Sequence, residues 1–346
     1  MNRVLVCCLC LAAAAEAYGD DEYFSLSSEL ESSVRGQSPD YGGTPFYNPL
    51  GPTAPQDPFL TPGSPYPPPR TLQPGPPVFS PSFGVNWAQP YRNGWTPRMD
   101  MGYLPSSHTS PDVGNFSMFE LDTELVHVEP LNPDLLFTVA PQFNYRNWDA
   151  SSTFNDNLYH FGLGLQLATP VTEHVGFQLT FDPSLNTDFN SDITRDAFNL
   201  DANGTLFFRV NTQLTVVLGA GYLDRVQNIV IPYAGVVYTP DELWEFRLLF
   251  PQGRISRYVG HFVDAENWLY LAWEYHVESY EVNVPTFGQN QVQMEDYRLT
   301  VGLRSDHPQF TKYIEAGYVF GRNVDFRTGP GFDISDGFIV RGGIRF

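Results

Sequence analysis

The residues able to do chemistry in this chain are charged side chains that alternate with apolar ones. Glu120, Asp122 and Glu124 occupy every second position, with Phe119, Leu121, Thr123 and Leu125 between them. In an extended strand this spacing puts the three carboxylates on one face. The same pattern sets Asp182, Asp201, Glu245, Glu274, Glu278 and Glu315 on the polar face of their own segments. Arg146, Arg209, Arg247, Arg298, Arg304, Arg341 and Arg345 fall there too. Charges of both signs on one inner wall can act in two ways. In water they create a transverse field that sorts solutes; brought together they form ion pairs that stiffen or close the passage. Alternation alone leaves both open.

Catalysis has less to build on. His160, His174, His261, His276 and His307 are scattered without metal-ligand spacing, and no Ser-bearing motif accompanies them. Asp333-Ile334-Ser335-Asp336-Gly337 falls short of a calcium loop and reads as a turn. The expectation is a protein that is not an enzyme and holds no metal or cofactor. Gly162, Gly164, Gly219, Gly221, Gly302, Gly317 and Gly321 recur on the polar face, where small residues leave room for neighbours.

The elements that must position these groups are strands. Alternating runs occur at 97–104, 115–128, 134–145, 157–169, 174–182, 196–210, 213–222 and 228–238, then at 243–250, 254–260, 267–282, 291–304, 310–320 and 336–346. Period-two segments of about ten residues are the signature of a transmembrane barrel. Connections near 130–133, 170–173, 211–212, 239–242 and 305–308 are short, and those near 146–156, 183–195, 283–290 and 321–335 are longer. Long and short stay in phase when Pro251-Gln252-Gly253 is a hairpin turn, which predicts fourteen strands. One strand over 243–260, with 97–104 left out, would give twelve. The predicted fold is all-β: an antiparallel up-and-down transmembrane barrel over residues 97–346.

Its lipid face would carry Phe161, Leu163, Leu165 and Leu167, then Leu200, Ala202, Leu206 and Phe208, then Leu269, Leu271, Trp273 and Tyr275. Tyr103, Tyr145, Trp148, Tyr222, Tyr238, Trp244 and Trp268 fall near strand ends, as in interfacial aromatic girdles. The inner face would line a lumen through Glu120, Asp122, Glu124, Arg209, Glu245, Arg247, Glu274, Arg298, Arg304 and Arg341. Fourteen strands enclose a space too wide for side chains alone to fill.

Residues 1–17 read as a signal peptide: Met1-Asn2-Arg3 is basic, Val4 to Ala15 apolar, and Ala15-Glu16-Ala17 a cleavage site. All three cysteines, Cys7, Cys8 and Cys10, lie within it, so the mature chain has no disulfide. Residues 18–96 read as a Pro-rich, disordered periplasmic arm, with seventeen prolines between Pro39 and Pro97. The net charge of −20, with Lys312 the sole lysine, excludes the basic face that nucleic-acid binders need. The mean hydropathy of −0.25 suits a barrel, because lumen and wall residues cancel in the average.

Several motifs point to a family. They are Gly221-Tyr222-Leu223-Asp224-Arg225, Pro232-Tyr233-Ala234-Gly235-Val236, Trp244-Glu245-Phe246-Arg247-Leu248-Leu249-Phe250-Pro251, Glu315-Ala316-Gly317-Tyr318-Val319-Phe320-Gly321-Arg322 and Arg341-Gly342-Gly343-Ile344-Arg345-Phe346. In this order, over roughly 115–346, they resemble an uncharacterised, porin-like family of bacterial outer-membrane β-barrels. The resemblance implies a barrel and no particular substrate.

The expected function is a passive, porin-like channel for small solutes in the bacterial outer membrane. The alternatives are a structural or anchoring barrel with a closed lumen, and an uptake channel for hydrophobic molecules. Outer-membrane lipids and the barrel-assembly machinery are the expected partners, with small solutes as cargo. Phe338, Val340, Ile344 and Phe346 form the apolar face of the last strand and are the expected assembly signal. Deleting Phe346 is expected to leave exported but unfolded chain, measured as loss of the heat-modifiable species from the outer-membrane fraction.

Overall fold

The computed structural model describes residues 94–110, 114–132, 135–149, 157–169, 175–211, 213–241, 243–285, 288–307 and 310–346. The expected signal peptide, and the expected arm up to residue 93, lie outside the described residues, as does His174. Strand structure begins at Gly94, three residues before the boundary expected from the sequence.

The strands are β1 (Gly94–Ser110), β2 (Asn115–Asn132), β3 (Leu135–Asp149), β4 (Asn157–Ala168), β5 (Val175–Thr187), β6 (Phe198–Arg209), β7 (Leu214–Leu223) and β8 (Ile229–Asp241). They continue as β9 (Trp244–Phe250), β10 (Gln252–Phe262), β11 (Ala265–Val284), β12 (Gly288–Asp306), β13 (Thr311–Phe326), β14 (Phe332–Ile334) and β15 (Gly337–Arg345). From β1 to β14 each pairs antiparallel with its neighbours in sequence, and β1 closes the ring on β15 from Arg98↔Arg345 to Tyr103↔Val340. Both β14 and β15 lie between β13 and β1, so fifteen segments make fourteen staves. Pro251 does separate β9 from β10, as the loop phasing required.

Closure satisfies the backbone groups of the ring, a condition for crossing hydrocarbon with strands. The outward face is apolar. Leu163, Leu179, Leu206, Leu218, Leu248, Leu271, Leu299, Val301 and Ile314 are all exposed, while the residues between them point inward. Phe338, Val340 and Phe346 share this outward face. Of the aromatics expected at the interfaces, Tyr103, Tyr222 and Tyr238 are exposed. Trp148 and Trp268 are buried on the inner face instead, because they share the parity of Arg146 and Tyr270. Gly321 also departs from expectation. It has φ +61 and sits opposite a register shift between Glu295 and Tyr297, so it is a bulge residue exposed on the outside. The bulge resets the alternation and turns Arg322 inward.

The rim holding Gly94 and Arg345 is called the near rim here, and the opposite one the far rim. The far-rim connection expected over 283–290 shortens to three residues, because β11 runs on to Val284 and β12 starts at Gly288. Those strands, β11 and β12, are 20 and 19 residues long, about twice what crosses a bilayer. Their far halves leave the wall. Residues 276–282 and 290–294 are buried on both faces, whereas a wall strand exposes alternate residues. The cause is the chemistry of the outward face. Up to Tyr275 and Tyr297 it is apolar or aromatic; beyond them it carries Ser279, Glu281, Asn283, Gln289, Gln291 and Gln293. These groups are costly in hydrocarbon and find partners inside the ring.

The wall adjoining this hairpin is low. Strand β9 has seven residues, and the backbone N–H of Tyr275 donates to the Pro251 carbonyl at the top of the β9–β10 hairpin, 2.9 Å away. Above that point Leu223 and Ile231 pack directly against Val277.

Introducing Arg at Leu163, midway along β4, is expected to cost about 2–4 kcal/mol, and at Val175, at a strand end, about 0–1 kcal/mol. Urea unfolding from lipid vesicles checks both values. Equal costs would mean that the outward face does not meet lipid.

Candidate functional site

The infolded hairpin meets the opposite wall through side chains of complementary type. Its face toward β1, β2, β3 and β13 presents Tyr280, Val282, Val284, Val292 and Met294. These pack with Leu104, Phe116, Met118, Trp148, Leu158, Val319, Val324 and Ile339 into a core that fills the far half of the lumen. Its other face is polar. The backbone N–H of Asp188 donates to the Glu281 carbonyl (3.1 Å), and Thr187 pairs with Glu281 as a short parallel bridge. Asn199 Nδ2 donates to Ser279 Oγ at 2.8 Å, and the Asn283 N–H donates to Asp188 Oδ2 at 2.9 Å. The far-rim segment between β5 and β6 thus closes over the hairpin, including a single 3-10 turn at Arg195–Ala197.

Below this core the lumen is crossed by a charged belt. Arg298, on β12, is 2 % exposed and reaches four groups. Its Nη1 lies 3.2 Å from Glu120 Oε2 on β2 and 3.8 Å from Glu274 Oε1; its Nε lies 2.7 Å from Asp296 Oδ1, and its Nη2 3.0 Å from His276 Nδ1. Arg146, on β3, is 1 % exposed and bridges Asp122 at 2.8 Å and Glu278 on β11 at 3.0 Å. Arg341, on β15, holds Glu315 at 2.7 Å and Glu274 at 3.0 Å, and Tyr270 donates to Glu315 at 2.8 Å. Four of these contacts, Glu120–Arg298, Arg146–Glu278, Glu274–Arg341 and Tyr270–Glu315, join strands that are not neighbours in the sheet, so they span the lumen. Gly102 permits one of them: a Cβ there would stand 2.3 Å from Glu120 Oε1, in the path Glu120 takes across β1.

The acidic ladder read from the sequence is therefore paired in full. Glu120 meets Arg298. Asp122 meets Arg146, and Glu124 meets Arg98 at 3.1 Å in a more open vestibule. Arg345 turns to Asp100 and Arg304 to Asp306, with the Arg304 guanidinium 5.2 Å from the Trp268 ring centre. Glu245 pairs with Arg247 on its own strand. Arg209 ends β6 at the near rim, half-buried on the inward-facing parity. The expectation of an unfilled lumen is corrected by the hairpin, which supplies the missing volume.

Sequence reasoning passed over Asp296 and Arg225, and set His276 aside with the other scattered histidines. Asp296 is fully buried between Arg298 and His276, and Arg225 holds Asp201 through two contacts of 2.8 Å. Arg225 follows β7 in a turn, where alternation gives no signal. Asp296 lies on the inward face of β12, and its spacing from Arg298 was the available sign. Beside these groups, between the hairpin and β3–β6, lies a small cavity, with room for about one water-sized group, lined by Gln142, His160, Asp182, Asn186, Asp201, Arg225 and Glu278 among others. Among the described residues no cluster of three His, Asp or Glu side chains is arranged to hold a metal ion.

No protein-family model matches this chain, and no curated protein matches it. Solved structures resemble it distantly. An outer-membrane channel from Pseudomonas putida F1 is 13 % identical over 74 % of this chain and 96 % of its own, with a TM-score of 0.41. A mutant of the monoaromatic hydrocarbon channel TodX is 8 % identical over 73 % and 90 %, with a TM-score of 0.41. A FadL homologue from Pseudomonas aeruginosa is 8 % identical over 74 % and 91 %, with a TM-score of 0.35. Likeness at this level assigns neither a site nor a solute.

Arg298→Met strands buried carboxylates and is expected to cost about 3–5 kcal/mol. Adding Glu120→Gln should return part of this, a coupling of about 0.5–3 kcal/mol. Urea unfolding of the two single variants and the double variant gives the coupling, and strict additivity would mean that the cross-lumen pair does not form.

Proposed function

We propose that this protein is a bacterial outer-membrane conduit for small polar solutes that rests closed and opens when the far half of the β11–β12 hairpin moves. The near rim then faces the periplasm. The closed ring, its apolar outside and the apolar face of the last strand support the location, with the barrel-assembly machinery as the partner that would insert it.

One observation carries the gated reading: beyond Val277, which packs on Leu223 and Ile231, the hairpin's outward side is held by hydrogen bonds. Asn199–Ser279, Asp188–Asn283, Asp188–Glu281 and Gln227–Gln293 are exchangeable for water, and breaking them exposes polar surface. The vestibule at Arg98 and Glu124 already admits water from the near rim. A passive pore that stands permanently open would keep its charged ring hydrated; here the ring is dehydrated and paired. The hydrophobic core on the hairpin's other side favours a second reading, a structural barrel whose hairpin never leaves.

A reversible lock separates the two. Replacing Asn199 and Ser279 by Cys sets thiols on two facing residues whose native side chains touch, in a chain whose native cysteines all fall within the first ten residues. In planar bilayers the wild-type protein is expected to show openings, the oxidised double variant none, and dithiothreitol to restore them. Wild-type protein that never conducts would instead support the structural barrel.

A further inference from the structure

The cavity beside the hairpin contains a carboxylate with no counter-charge. Asp182 and Asp201 stand directly opposite one another on β5 and β6, both on the inner face. Like charges in that position repel, and one of them is neutralised: Arg225 grips Asp201 with both of its terminal nitrogens. The other acid of the cavity, Glu278, belongs to Arg146. Asp182 has no salt bridge among the described residues. It is 7 % exposed, and its Oδ2 has no hydrogen-bond partner. A buried carboxylate left in this way is costly, and a cation in the adjoining space removes the cost.

We propose that Asp182 anchors a binding site for a small monovalent cation, either an alkali ion or the ammonium group of a primary amine. The surroundings fit a compact cation. The side chain of Asn186 offers a neutral oxygen, and Gly162 and Gly164 hold the β4 wall of the cavity back. A Cβ on Gly164 would stand 3.2 Å from Asp182 Oδ1, so the glycine keeps the carboxylate approachable. The guanidinium of Arg225 lines the same cavity and is spoken for by Asp201, so it leaves Asp182 its charge while repelling divalent ions. Binding here does not depend on whether the lumen conducts.

The test uses the full-length protein in detergent at constant ionic strength. The bulky cation N-methylglucamine, as its chloride, is replaced stepwise by sodium, potassium or methylammonium chloride. The thermal unfolding midpoint is read at each step, since a ligand that binds only the folded state raises it. Wild-type protein should show a saturable rise with at least one of the small ions, and which ion does so distinguishes an alkali site from an ammonium site. Asp182→Asn should abolish the rise, and Gly164→Ala should weaken the affinity by about tenfold or more. Should Asp182→Asn fail to fold, Gly164→Ala carries the same comparison. A midpoint that ignores all three ions in wild-type protein, or that responds equally in the variants, would overturn the assignment.

Discussion

The structure turns on the polarity of one strand face beyond Tyr275. A barrel strand in a bilayer must offer apolar side chains to lipid, and β11 and β12 do so only along their near halves. After Val277 the outward positions are Ser279, Glu281 and Asn283, faced by Gln293, Gln291 and Gln289. Lipid has no hydrogen bonds for these groups, and the ring has many. The hairpin therefore folds inward, and most of what distinguishes this barrel follows from that.

A fourteen-stave ring would otherwise enclose water. With the hairpin inside, the far half of the lumen gains an apolar core around Trp148, Tyr280 and Met294. The belt beneath it becomes dehydrated. Glu278 and His276 are carried in on β11, and Asp296 and Arg298 on β12, toward Glu120 and Arg146 on the opposite wall. Dehydration makes each of these pairs dependent on its partner, since a buried charge that loses its counter-ion costs far more than the pair contributes. The infolding also leaves the wall low at β9–β10, where contacts between Leu223, Ile231 and Val277 take the place of a hydrogen-bond ladder.

Much of this was legible in the sequence, because alternation is a local property. The ring, the split of β9 from β10 at Pro251, the apolar wall through Leu163, Leu206 and Leu271, and the inward set from Glu120 to Arg341 all follow from counting in twos. What the count missed was non-local or needed the chemistry of both faces together. Read on one face, 267–282 and 291–304 alternate like any wall strand. Read on both, the polar outward positions from Ser279 onward mark the departure. Trp148 and Trp268 were misplaced because proximity to a strand end was weighed above parity. The pairing of Arg146 with Glu278 joins residues 132 apart in sequence, which no local pattern reports. The bulge at Gly321 shifts the phase by one residue, a shift that only the register with β12 makes visible.

The most direct measurement of the central claim is the environment of the outward face of β11. Single spin labels at Leu271→Cys and Ser279→Cys, in protein reconstituted into lipid vesicles, report collisions with oxygen dissolved in the hydrocarbon. The account predicts ready collision at position 271 and protection at 279, where the same face of the same strand has turned into the lumen. Comparable collision at both positions would contradict it, because β11 would then remain in the wall along its whole length.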